Sequence, residues 1–406
     1  MRVPQSRKPT LTAGAMLVAL VLLGACSKDK NVDEPAKLTP LPHPSVHVTH
    51  LWGHNMGDKH AAVLRLGQGI SITDQRVYAA GHHHGEVVAL DLANGKVLWH
   101  AKTGAPLSGG TASSSELVVV GASDGQVFAL DAANGHSRWK VRLNGEILAP
   151  AAISARLVAV RTVDGKLRAL SPADGHELWA TEQQVPRLSL RGTASPVITG
   201  ELVVCGFDNG KVVAVNAADG SLQWEATVTP PHGRTELERL DDIDSPVRVS
   251  GHDVYAVGFQ GKVAMLALDT GQVWWSHEDS SYRGLTVDED TLYVADADGV
   301  VTALKARTGA EVWHQNALLH RGLSPLAVMD DTVVVGDFQG YVHWLDKASG
   351  ALAARVGSGS GRISTAPLVV GDIVVLANDR GQINAWRVKP LAVSATTRKP
   401  APPPSK

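Results

Sequence analysis

Apolar and polar positions alternate in short bursts along most of the 406-residue chain. Runs such as "LVVVGAS" and "TVVVGDF" lead to an Asp-Gly, Asn-Gly or Gln-Gly pair, and a second short strand such as "VFAL" follows. A period of two places successive side chains on opposite faces, so these bursts predict strands. Glycine in the intervening pair accepts a positive φ without steric cost, which suits a tight antiparallel turn. A second turn follows, for example Asp131 to Gly135, in which Asp or Asn can bond the backbone two residues on and Gly can adopt the left-handed conformation. The last strand of most bursts ends on a bulky residue, and no stretch of the body carries a helical period.

The bursts repeat. Aligned on the first glycine, eight units begin at Gly85, Gly125, Gly165, Gly210, Gly261, Gly299, Gly340 and Gly381, at intervals of 40, 40, 45, 51, 38, 41 and 41 residues. Four short strands at a period of about 40 residues predict the blades of an eight-bladed, all-β propeller, because one blade cannot bury both of its faces alone. Four residues after the second glycine stands Trp99, Trp139, Trp179, Trp224, Trp275 and Trp313, with Ala354 as the exception. These tryptophans are expected to pack between blades. The eighth unit stops after "INAWRV", and "SVHVTHLWGHN" near the N-terminus supplies the missing strand, with Trp52 in the expected place. The N-terminal strand is therefore expected to close the ring and remove two open edges. The propeller then spans 45–389, between a polar tether over 26–44 and a basic, Pro-rich tail over 390–406 of disordered composition.

Two intervals are stretched, and they are consecutive. Their extra residues fall between the last-strand Trp and the next Ser-Pro, from Trp179 to Pro196 and from Trp224 to Pro246. Equivalent connections in a propeller emerge on one face, so "VPRLSLRG" and "GRTELERLDDIDSP" should form one raised patch. Leu188 and Leu190 beside Arg191 are unlike a solvated loop. Asp242 and Asp244 alternate about Ile243, which puts both carboxylates on one side of an extended segment. Apolar tips ringed by charge describe a protein-binding site; a lid packed over the ring opening is the other reading.

Charge and chemistry narrow the function. The formal charge is −2, and without residues 1–25 it is −5, from 35 basic and 40 acidic residues. No basic footprint for nucleic acid is present. Arg2, Arg7 and Lys8 precede an apolar run from Leu11 to Gly24, the pattern of a secretory signal over 1–25. Leu23-Gly24-Ala25-Cys26 resembles the bacterial lipobox, which implies a lipid on Cys26 and, with Ser27 following, delivery to the outer membrane on its periplasmic side. Cys205, within "ELVVCGF", reads as a small buried hydrophobe. The consecutive His82, His83 and His84 alternate faces of a strand and do not converge on one ion. No catalytic or metal site is expected, and no cofactor.

The consensus Asp-Gly-x-Val-x-Ala-Leu-Asp followed by Gly-x-x-x-Trp resembles the PQQ-like (quinoprotein) repeat. A quinoprotein-like dehydrogenase stays open on that ground, although the chain has no adjacent cysteines and its repeats leave little length for an axial pocket. A periplasmic glycan-binding propeller is a second alternative. The lipobox, the eight repeats, and "LSLRG", "RLDDIDSP", "LLHRGLSP" and "VVGDFQGYVHWLD" together are similar to the BamB family of outer-membrane lipoproteins, over roughly residues 10 to 388. That resemblance implies a non-enzymatic scaffold that binds the periplasmic POTRA domains of BamA and assists barrel precursors. It also implies partner contacts at Leu188, Leu190, Arg191, Arg239, Asp242 and Asp244. The tail after 389 lies outside that resemblance, and the sequence assigns it no role.

The lipobox carries its own test. Cys26→Ala should abolish acylation and release the chain from the outer membrane while the propeller still folds. Membrane fractionation in a strain lacking its partners checks this, and continued outer-membrane partition would refute lipid anchoring.

Overall fold

Eight four-stranded antiparallel sheets make up the fold. The computed structural model describes residues 33–56, 69–81, 85–186, 193–230, 242–259, 261–278, 281 and 283–391. Blade 1 runs from Ser71 to Lys102, blade 2 from Leu107 to Arg142, blade 3 from Ala152 to Glu182 and blade 4 from Val197 to Thr227. Blade 5 runs from Arg248 to Glu278, blade 6 from Leu285 to Gln315 and blade 7 from Ala327 to Gly357. In blade 8 the strands Leu368–Val370, Ile373–Ala377 and Gln382–Pro390 are completed by Val46–Asn55, which pairs antiparallel with Gln382–Pro390. The N-terminal strand closes the ring, as the repeat arithmetic implied. No described residue lies in a helix.

The hydrophobic core is divided. Eight buried clusters form, and each draws its residues from two neighbouring blades. Blades 3 and 4, for instance, share Leu157, Ala159, Leu167, Trp179, Val203, Cys205, Phe207 and Val213. The apolar residues of the second and third strands of a blade, such as Val118, Val119 and Val120, are buried on both faces because each face meets a neighbour. That explains the continuous valine runs in the sequence. Cys205 is wholly buried in one such cluster, and burial pushes its thiol up to about 12.

Tryptophan and glycine define each seam. Trp99 lies over Gly135 of the next blade, where an added Cβ would come within 2.5 Å of the indole. Gly135 has φ +76°, so its backbone also favours glycine. The Trp99 Nε1–H donates to Ala132 O in the same turn at 3.0 Å. Six more seams repeat this arrangement, with Trp52, Trp139, Trp179, Trp224, Trp275 and Trp313 donating to the turn of the following blade at 2.8–3.0 Å. Within its own blade each of these indoles faces a smaller or flexible residue, as in Ala89 opposite Trp99 and Ala385 opposite Trp52.

Blade 7 reverses that pair. Trp344 stands on the third strand and Ala354 on the fourth, directly opposite each other. The reason is the seam itself. In blade 8 the third strand, Gln382–Pro390, and the fourth, Val46–Asn55, are not consecutive in sequence, so no turn joins them. A tryptophan at position 354 would find no turn glycine and no turn carbonyl to dock on. Large and small residues are exchanged across the pair, and Trp344 fills the space from one strand further in, wholly buried. Among the described residues its Nε1–H has no hydrogen-bond partner, unlike the seven seam indoles.

Two stability differences follow. Trp139→Ala empties one seam and should cost about 3–5 kcal/mol. Deleting residues 45–55 removes a strand, the seam of Trp52 and the shield over an open edge, and should lower the melting temperature far more. Thermal unfolding of both variants by circular dichroism checks the order, and equal melting of the deletion and the wild-type chain would mean the ring closes otherwise.

Candidate partner-binding face

Antiparallel strands reverse direction at each turn, so a blade has two kinds of end. Turns between second and third strands emerge on the same face as the blade-to-blade connections; the other two turns emerge on the opposite face. Backbone bonds tie the first group together. Gln183 N–H donates to Gly165 O at 2.9 Å and Ser358 N–H to Gly340 O at 2.8 Å, each joining a connection to a second-to-third turn. This is the loop face.

Both enlarged connections lie on it, between Glu182 and Val197 and between Thr227 and Arg248. Leu188, Leu190, Arg191 and Arg239 lie outside the described residues, as do Cys26, His82–His84 and residues 392–406. What the structure describes is where the two loops are rooted. Thr193 and Ala194 are buried at the end of the first, and Val228, Thr229, Asp242, Ile243, Ser245 and Val247 at the two ends of the second.

Ile243 explains the spacing of the aspartates. Its side chain lies against Gly206, where an added Cβ would be 2.5 Å from the Ile243 Cγ2, and its N–H donates to Phe207 O at 3.3 Å. Ile147 lies on Gly121 and Ile363 on Gly336 in the same way, so a knob-in-glycine contact recurs where the chain enters blades 3, 5 and 8. With Ile243 seated, Asp242 and Asp244 flank it. Both were expected on an exposed patch. Asp242 is instead 1% exposed, and its carbonyl accepts from Phe259 N–H at 3.0 Å. Asp244 is partly buried by its overall surface, but its Oδ1 is inaccessible and has no hydrogen-bond partner among the described residues.

The aspartates share their surroundings with two residues that sequence reasoning passed over. Arg161 Nη2 donates to Asp208 Oδ1 at 2.7 Å, with both side chains all but inaccessible. The Arg161 guanidinium also lies 4.1 Å from the centre of the Phe207 ring, a cation–π contact. Burial, then the negative charges of Asp242 and Asp208, pushes the Asp244 carboxyl well above its ordinary value, and Arg161 pulls the other way. Among the described residues, Asp208, Asp242 and Asp244 thus lie with Arg161 at the root of the second loop, where blades 3, 4 and 5 meet. Removing one member of a buried ion pair costs about 3–5 kcal/mol, so this cluster holds the loop root in one arrangement. A signal existed in the repeat. Arg161 occupies a position that is Ala80, Gly121, Gly206, Val257, Ala295, Gly336 or Ala377 in the other blades, the one charge in a small or apolar column.

A second buried network lies on the same face at blade 7. Arg321 Nε donates to Asp337 Oδ2 at 2.8 Å, its Nη2 lies 2.7 Å from that oxygen as an ion pair, and His343 Nε2 is 3.0 Å from it. Burial works to raise the Asp337 carboxyl, but bonds from His343, the Tyr341 N–H and Arg321 outweigh it and hold the group below its ordinary value. Burial lowers the His343 imidazole. The motif "LLHRGLSP" supplies Arg321 to this network. Among the described residues, no three His, Cys, Asp or Glu side chains are grouped to hold a metal.

Known proteins place this geometry. A family model described as outer membrane protein assembly factor BamB matches residues 83–315 and 297–390. The outer membrane protein assembly factor BamB of Pseudomonas aeruginosa is 45% identical over 377 residues, covering 93% of this chain and 98% of the relative. That of Kangiella koreensis is 42% identical over 380 residues, covering 94% and 97%. The crystal structure of BamB from Moraxella catarrhalis superposes with a TM-score of 0.77 at 27% identity, covering 84% of this chain and all of that one. The quinohemoprotein alcohol dehydrogenase of Comamonas testosteroni superposes with a TM-score of 0.64 at 14% identity, covering 84% and 76%, a likeness of fold alone. On the extent and identity of these matches, the chain belongs to the family of outer membrane protein assembly factor BamB.

Proposed function

We propose that the chain is a non-enzymatic scaffold lipoprotein of the outer-membrane β-barrel assembly complex. In this reading it is anchored by a lipid on Cys26 at the periplasmic face of the outer membrane. It binds the POTRA domains of BamA through its loop face and thereby assists insertion and folding of barrel proteins, with nascent precursors as further candidates for contact. The names of its relatives, outer membrane protein assembly factor, support the assembly role. The observation that carries the site is the pair of adjacent enlarged connections rooted by buried residues on one face. A rigid base under apolar and cationic loop tips lowers the ordering cost of binding, which is what a partner site requires.

Roles divide by depth. Leu188, Leu190, Arg191 and Arg239 are assigned direct contact with BamA, the leucines as apolar anchors and the arginines as carboxylate donors. Asp242 and Asp244, set in the buried root with Ile243, are assigned to shaping the loop that meets the partner. Substituting a contact residue and a root residue should therefore have different signatures.

Calorimetry against the isolated POTRA domains separates them. Arg191→Ala should cost roughly 2–5 kcal/mol of binding, as truncating a desolvated charge-assisted contact does, which is about 30-fold or more in affinity. Its melting temperature should stay within error of the wild type, and Leu188→Ala should behave alike. Asp242→Ala should lose affinity and melting temperature together. Wild-type affinity in both loop variants would remove the loops as the partner site and leave them as a lid over the ring.

A further inference from the structure

Before the closing strand begins at Val46, residues 36–45 cross blade 7 as an irregular, extended strap. One end is fixed on the loop face. Ala36 N–H donates to Leu319 O at 2.9 Å, and Arg321 Nη1 donates to Ala36 O at 2.9 Å. Both Leu319 and Arg321 belong to the connection from blade 6 to blade 7. Arg321 is 2% exposed, and its other donors are already committed to Asp337 and Gln339. The Ala36 carbonyl thus satisfies the one guanidinium nitrogen left over.

The middle and far end are held as well. Half-buried Leu38 packs against the core shared by blades 6 and 7. Arg355 Nη2 donates to Thr39 O at 2.5 Å. Leu41 and Pro44 line a groove of about 310 Å³ with Ala354 and Val356, beside the position where the other blades carry a seam tryptophan. Ser45 N–H donates to Ala353 O at 2.9 Å. Ala353 follows the third-to-fourth turn of blade 7, so this end lies at the opposite face. The strap therefore carries the chain from the loop face to the opposite face over the rim of blade 7.

We propose that this strap sets the orientation of the ring on the membrane, an inference that rests on the lipid reading of Cys26. Ten residues separate Cys26 from Ala36, a reach of at most about 35 Å. Ala36 is fixed on the loop face at blades 6 and 7, so a lipid on Cys26 tethers the ring from that face. Without the strap the chain would leave at Val46, from the opposite face. Twenty residues would then separate the lipid from the ring, a reach of about 70 Å. The buried network at Arg321 is thus a lock for the chain's own tether, distinct from the partner loops at blades 3 to 5.

Lipid-borne quenching tests the orientation. The full lipidated chain is placed in phosphatidylethanolamine–phosphatidylglycerol vesicles carrying a quencher lipid. A dye is attached at Ala317→Cys on the loop face or at Ala348→Cys on the opposite face, both exposed positions; Cys205 is buried and does not compete. The loop-face dye should be quenched at least twofold more strongly. Replacing residues 36–42 with Gly and Ser at equal length, which removes Leu38 and Leu41, should abolish or invert that ratio. Arg321→Lys keeps a charge beside Asp337 but loses the fork that reaches Ala36, and it should act in the same direction. In solution, without any lipid, the same Arg321→Lys change should raise tryptic cleavage after Lys37 at least tenfold. Equal quenching of the two dyes in the parent chain, or an unchanged ratio after strap replacement, overturns the proposal. Failure of the parent to bind vesicles overturns the lipid reading and the orientation with it, whereas unchanged cleavage after Lys37 overturns the strap alone.

Discussion

Everything in this molecule depends on the contact between an indole and the turn glycine of the next blade. A four-stranded blade has two apolar faces and no means of burying either by itself, so folding is a matter of seams. The Trp–Gly contact fixes a seam in two ways at once. The ring plane covers a glycine that has no side chain to push it away, and the indole N–H satisfies a turn carbonyl that would otherwise be left at a buried edge. The first sets the distance between blades and the second sets their register. Repeated seven times, the two constraints leave the ring little freedom in either respect.

The eighth seam shows that the contact, not the residue, is what matters. Where no turn joins the third and fourth strands of the next blade, tryptophan stands on the third strand rather than the fourth, and Ala354 takes the facing place. The side-chain volume of the pair is kept, which is how close-packed interiors tolerate exchange. The groove at Ala354 and Val356 is lined also by Leu41 and Pro44, from the segment that leads into the closing strand. Ring closure and the course of that segment meet at the same discontinuity.

The loops spring from a ring held at its seams by these repeated contacts. The charges buried on the loop face, Arg161 with Asp208 and Arg321 with Asp337, are costly to desolvate and poor as sources of net stability. They give geometry instead. One pair lies beside the described end of the long connection into blade 5, and the other bonds the backbone at Ala36. Burial and neighbouring Asp242 and Asp208 push the Asp244 carboxyl well above its ordinary value, and Arg161 opposes them.

The sequence by itself determined the strand content, the number of blades, the closing strand and the face that carries the long connections. All of these follow from local periodicity and from counting, because each repeat meets the same neighbours and repeats the same residues. It also singled out Ala354 as an exception without giving the cause, since Trp344 lies ten residues earlier and only strand pairing brings the two together. Only the tertiary structure decided the depth of the aspartates. An alternating Asp-Ile-Asp reads as exposed until Ile243 is seen to fill the space above Gly206, 37 residues away. It alone joined Arg161 to Asp208 and Arg321 to Ala36, across separations of 47 and 285 residues. Burial of a charge is decided by what packs over it, and in a ring of repeats the packing partner is always a blade away in sequence or, at the point of closure, almost the whole chain.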